Sequence, residues 1–117
     1  MILQISFDPT PLNFFQNNNI MDLGQTIKSI RKQKKIKQNQ FANLCDISQA
    51  YLSQIENNLK EPNLFTLKVI SNNLDTPLPI LFFLSLDNND VKPEKEEAFK
   101  VIAPSVKSLV NQFFVAQ

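Results

Sequence analysis

The stretch QNQFANLCDISQAYLSQIEN, residues 38–57, decides the fold, because it holds two short helical patterns separated by too few residues for any other arrangement. Gln38 to Cys45 reads as the first helix, with Phe41, Ala42, Leu44 and Cys45 forming one small apolar face. Asp46 and Ile47 interrupt the pattern, and Ser48 offers a hydroxyl to the unpaired amides of a new helical turn. The second helix runs from Gln49 to about Asn57, with Leu52 and Ile55 spaced to point inward. Its other face carries Gln49, Ala50, Tyr51, Ser53 and Gln54, polar or small side chains that a core does not need.

Two helices joined by a three- or four-residue turn, the second presenting a polar outer face, make a helix-turn-helix pattern. Gln38, Phe41-Ala42, Ile47-Ser48, Leu52-Ser53 and Ile55-Glu56, followed by Glu61-Pro62, resemble the phage repressor/Cro-type (Xre) family over about residues 23–83. Two positions depart from that family's habit. Asn58 stands where Gly is usual, and Lys37 where Thr or Ser is usual. Asn is well suited to a left-handed helix cap, so the turn should survive. Lys37 gives up a capping hydroxyl but adds a cation where a phosphate would lie.

The resemblance implies an all-α fold: a five-helix repressor-like domain over residues 22–84, with the motif at 38–57. It also implies roles for particular residues. Gln49, Ala50 and Gln54 match positions that touch base edges, and Gln38 matches one that grips a phosphate. A glutamine amide offers a donor and an acceptor in one plane, which suits adenine, and Ala50 can meet a thymine methyl. Lys37, Tyr51, Ser53, Asn57 and Lys60 are candidates for further backbone contacts, which set register without reading sequence. Arg31 and Glu56 match a charge pair that links the first helix to the end of the reading helix.

The remaining elements follow from periodicity. Asp22 caps a helix to about Lys34, with Leu23, Ile27 and Ile30 on its inner face. Asn63 caps another from Leu64 to Leu74, and a short apolar helix spans Leu78 to Leu84. Residues 85–93 read as a polar linker. Beyond it lies a C-terminal helical segment, 94–114, outside the resemblance and expected to break at Pro104. Its apolar side chains must dock on the domain or on a second chain. Ile80, Phe82, Phe83, Phe113 and Phe114 are the candidate dimer surface. Residues 1–20 contain Pro9, Pro11 and three consecutive Asn, and read as a flexible extension without Lys or Arg. A natural start at Met21 is an alternative reading of that extension.

Composition removes several function classes. One Cys and no His leave no disulfide and no ordinary zinc site, and no glycine-rich phosphate loop exists. No apolar run approaches the ~20 residues needed to cross a bilayer, so a cytoplasmic protein is expected. The net charge is only +1, yet Lys28, Arg31, Lys32, Lys34, Lys35 and Lys37 form a block free of carboxylates. Acids gather instead toward the C-terminus, at Asp87, Asp90, Glu94, Glu96 and Glu97. The expectation is a non-enzymatic, sequence-specific DNA-binding transcriptional regulator without cofactor, acting on double-stranded DNA as a homodimeric repressor. The alternatives are a controller in a toxin-antitoxin or restriction-modification locus, whose C-terminal segment grips a partner protein, and a helical protein-interaction module.

Overall fold

A computed structural model describes residues 22–115. The readings of residues 1–20 as an extension and of Met21 as a start fall outside those residues. Among the described residues the protein is all-helical. Five helices make the domain: α1 (Leu23–Gln33), α2 (Gln38–Leu44), α3 (Gln49–Glu56), α4 (Leu64–Asn73) and α5 (Leu78–Ser85). A sixth, α6 (Glu96–Val110), follows two short 3-10 turns at Asn88–Asp90 and Pro93–Lys95, and a π turn closes the segment at Asn111–Val115.

The helix starts obey local chemistry. The side chains of Asp22, Ser48 and Asn63 accept from the amides of Gln25, Tyr51 and Thr66, so α1, α3 and α4 each begin with a satisfied donor. Helix α2 has no capping hydroxyl, since Lys37 supplies none. Gln40 satisfies a different donor at the same helix start, its Oε1 accepting from the Lys37 amide at 3.2 Å.

The helix ends share one device. Lys35, Asp46, Asn58 and Asp75, the residues just past α1 to α4, all adopt left-handed backbone with φ between 52° and 61°. In each case the following amide reaches back to the carbonyl five residues earlier: Ile36 to Arg31, Ile47 to Ala42, Leu59 to Gln54 and Thr76 to Ser71. These are Schellman closures made without glycine. Asn58 does more than turn the chain. Its Oδ1 accepts from the Gly24 amide at 3.1 Å and its Nδ2 donates to Asp22 at 2.7 Å, tying the end of α3 to the start of α1.

The core is built from Ile27 and Ile30 of α1, Phe41, Ala42 and Cys45 around α2, Leu52 and Ile55 of α3, Leu67, Ile70 and Leu74 around α4, and Leu81 of α5. Leu52 is fully buried, which fixes the rotation of α3 and leaves its Gln49 and Gln54 edge outside. Burial raises the Cys45 thiol to about 11 against a weaker lowering by an Asn73 hydrogen bond, so it remains protonated at neutral pH.

The segment after the domain docks on it. Helix α6 packs on α5. Val115 enters the core, and Lys34 Nζ donates to the Phe114 carbonyl at 3.2 Å. The Lys107 ammonium donates to the Leu86 carbonyl and lies 5.8 Å from the Phe99 ring centre. The break expected at Pro104 is absent, and α6 runs through it without interruption. Proline's fixed φ is a helical one, so the penalty is a lost amide bond to the Lys100 carbonyl and ring crowding. Docking on both sides of that point, at Ala103 of α6 and at Phe114 and Val115 of the turn that follows it, outweighs it. Since Pro104 is exposed, Pro104→Ala should restore the amide and raise the unfolding free energy by about 1–2 kcal/mol. Urea denaturation of the two proteins measures this.

Candidate nucleic-acid interface

The exposed edge of α3 is positioned from below by a chain of polar contacts. Arg31 and Glu56 are both buried, and they pair side-on: Nε to Oε2 at 2.7 Å and Nη2 to Oε1 at 3.0 Å. The third guanidinium nitrogen, Nη1, donates to the Ile36 carbonyl at 2.8 Å. Geometry of this kind satisfies both charges, the condition under which a buried ion pair is tolerated. Glu56 Oε1 also accepts from Gln38 Nε2 at 3.0 Å. Gln38 Oε1 in turn accepts from Gln49 Nε2 at 3.2 Å. A continuous path therefore runs from the α1 guanidinium, through the carboxylate ending α3, to the amide that opens it.

This chain orients Gln38 and Gln49 without using up either. The Gln49 amide retains its second N–H and its carbonyl oxygen, and the side chain is exposed. Gln38, half-buried, retains one N–H. Ala50 and Gln54 are exposed on the same helix.

The other polar candidates divide. Asn57 and Lys60 are exposed, as is Lys37 at the start of α2. Asn57 Nδ2 is bonded to the Ser53 carbonyl at 2.9 Å, with Ser53 Oγ at 3.4 Å. Tyr51 and Ser53 are half-buried, and the Tyr51 ring packs against the core. Of the six-cation block, Arg31 is taken inward, while Lys32, Lys35 and Lys37 are exposed. Among the dimer-surface candidates, Ile80, Phe82, Phe83 and Phe114 are half-buried, Phe82 and Phe114 against the core, while Phe113 is exposed.

Three contributors were not legible beforehand: Gln40 as the acceptor for the Lys37 amide, Asn58 as a cross-link, and Gly24 as the point of closest approach between α1 and α3. Only Gly24 left a signal in the sequence. It is the chain's single glycine, placed inside a helix where glycine is unfavourable. A Cβ there would lie 2.3 Å from the Ile55 carbonyl oxygen and 2.8 Å from that of Glu56. Among the described residues no group of acids and thiols is arranged to hold a metal, and no helix is long and apolar enough to cross a membrane.

The model of the family described as Helix-turn-helix matches residues 27–81, the span of the buried pair, the motif and the helices that support them. The immunity repressor protein of Bacillus phage phi105 is 41% identical over 51 residues, which cover 44% of this chain and 35% of that repressor. The chain thus spans about a third of the length of that relative. No solved structure gives a significant match. Residues 27–81 are therefore a helix-turn-helix domain of the phage repressor and Cro type, and it is to that family that this part of the chain belongs.

Proposed function

We propose that the protein is a sequence-specific DNA-binding transcriptional regulator, a homodimeric repressor that reads the major groove with α3. The observation that carries this reading is the oriented Gln49 amide at the exposed N-terminus of α3, held by Gln38 and through it by Glu56. An amide fixed in this way can accept from adenine N6 and donate to N7 with little ordering cost on binding. Gln54 and Ala50 extend the reading edge. Lys37, Lys60, Asn57 and the spare N–H of Gln38 supply phosphate contacts that set register. The similarity to an immunity repressor supports repression as the outcome. One α3 covers only a few base pairs, so two copies on half-sites about one helical turn apart give the required affinity.

Selection from random duplex DNA, followed by a salt series, tests the proposal. A two-fold symmetric motif should emerge, and its affinity should fall steeply with rising salt. Gln49→Ala should lose about 1–3 kcal/mol of discrimination at one base pair, with little change on unrelated DNA. Gln38→Ala should weaken all sequences and also blur that base pair, because it frees the Gln49 amide. Weak, sequence-blind binding by the native chain would remove the reading.

A further inference from the structure

Helix α3 spans only eight residues and is fastened to α1 at two separate points. One is the Arg31–Glu56 ion pair, near the end of α1. The other is Asn58, whose side chain reaches the opposite end of α1, at Asp22 and Gly24. With Asp22 capping the start of α1 and Arg31 in its last turn, the two fastenings stand roughly 13 Å apart along the helix axis. A single fastening fixes one point of α3 and leaves its inclination free. The second fixes the inclination.

The two ends of the reading edge depend on these fastenings differently. The Gln49 amide is held by Gln38, and through it by the ion pair. Among the described residues no side chain holds the Gln54 amide, so its reach is set by the backbone of the last turn of α3. That turn is closed around Asn58: the amides of Leu59 and Lys60 both return to the Gln54 carbonyl, at 2.8 and 3.2 Å. The Asn58 carboxamide holds the closure in place with both its ends, Oδ1 accepting from the Gly24 amide and Nδ2 donating to the Asp22 carboxylate. Such an approach needs a residue without Cβ at Gly24, where a methyl would lie 2.6 Å from Asn58 Oδ1. The Asp22 oxygen that takes the Asn58 bond also accepts from the Gln25 amide, so the support is anchored in the cap of α1.

We infer that Asn58 is a positioning residue for base reading: through Asp22 and Gly24 it sets the inclination of α3, and thereby the reach of Gln54 and Lys60 toward DNA. The inference rests on the reading of α3 proposed above and deepens it by giving the far end of the reading edge a support of its own. The glycine usual at this position would make the same turn and leave that support out.

Base preference of the full chain, measured position by position on the motif selected by the native protein and well below the unfolding transition, is the test. Gln49→Ala and Gln54→Ala first assign each glutamine its base pair. Asn58→Gly keeps the left-handed stop at no steric cost and removes only the side-chain bonds, so its circular dichroism should match that of the native chain. Its discrimination at the Gln54 base pair should fall about 5-fold or more, the lower end for a glutamine contact, while that at the Gln49 base pair holds. Asn58→Asp should lose at least as much, since it sets a second carboxylate against Asp22. Adding Asp22→Asn to Asn58→Asp exchanges donor and acceptor across the same bond, and asparagine also caps a helix. The double variant should therefore recover the native preference. Native preference in Asn58→Gly would overturn the inference. So would an equal loss at every base pair, a Gln54→Ala variant that shifts no preference, or a double variant that recovers nothing. A native chain blind to sequence would remove the reading of α3 itself, and the inference with it; a clear native motif with unmoved Asn58 variants would remove the inference alone.

Discussion

Arg31→Ala should lower the unfolding free energy by about 3–5 kcal/mol, the range for stranding one member of a buried ion pair. Glu56 is only 2% exposed and would keep a single side-chain donor, the Gln38 amide. For a domain of this size that loss corresponds to a fall in Tm of roughly 15–25 °C. The origin of the effect can be separated from simple loss of packing. Arg31→Met combined with Glu56→Leu removes both charges and keeps the volume, so the double variant should regain most of the loss. Additive losses in thermal melts of the two single variants and the double would show that the pair is not coupled. The double variant should nevertheless bind DNA poorly, because Gln38 then has no carboxylate to hold it and Gln49 loses its orientation.

Gly24→Ala should destabilise the protein by about 2–3 kcal/mol, as expected for overpacking against atoms that cannot move aside. Helix propensity alone predicts the opposite sign, a gain of up to ~1 kcal/mol from alanine inside a helix. The structure decides between them. Two of the atoms a new methyl would meet are backbone oxygens of α3, at Ile55 and Glu56, and only the third, Asn58 Oδ1, is free to swing. Relief requires α1 and α3 to part, which also breaks the bond from the Gly24 amide to Asn58. Chemical denaturation gives the sign directly. Binding measured well below the transition should fall as well, since α3 is displaced from its support.

The sequence located the helices well because their signals are local. Apolar spacing and the caps Asp22, Ser48 and Asn63 placed α1, α3 and α4 within a residue or two of their observed bounds. The left-handed turn at Asn58 was also legible, from the residue type alone. What the chain did not disclose depends on approach through space. The Gln38 to Glu56 bond spans 18 residues and the Gln38 to Gln49 bond 11, and no periodicity rule reports which amide faces which. Asn58 was read as a turn residue, but its bonds to Asp22 and Gly24 cross more than 30 positions. Pro104 misled for a related reason. The rule that proline ends a helix weighs one amide bond, and here tertiary contacts along the rest of α6 outweighed it. The outer face of α6 was visible as apolar sequence, but only burial separates the seam turned inward from the one left outside.

The four glycine-free helix stops have a consequence for the denatured chain. Placing glycine at Lys35, Asp46, Asn58 or Asp75 would relieve roughly 1 kcal/mol of left-handed backbone strain. It would also widen the conformational freedom of the unfolded ensemble, by an amount of similar size. The two changes nearly cancel, so nothing in the energetics pulls these positions toward glycine. All four are exposed corners of the domain. Each is thus free to carry a side chain that an ordinary glycine stop would forfeit: Asn58 to staple α3 to α1, and Lys35 to place a cation where the reading domain meets the end of α6.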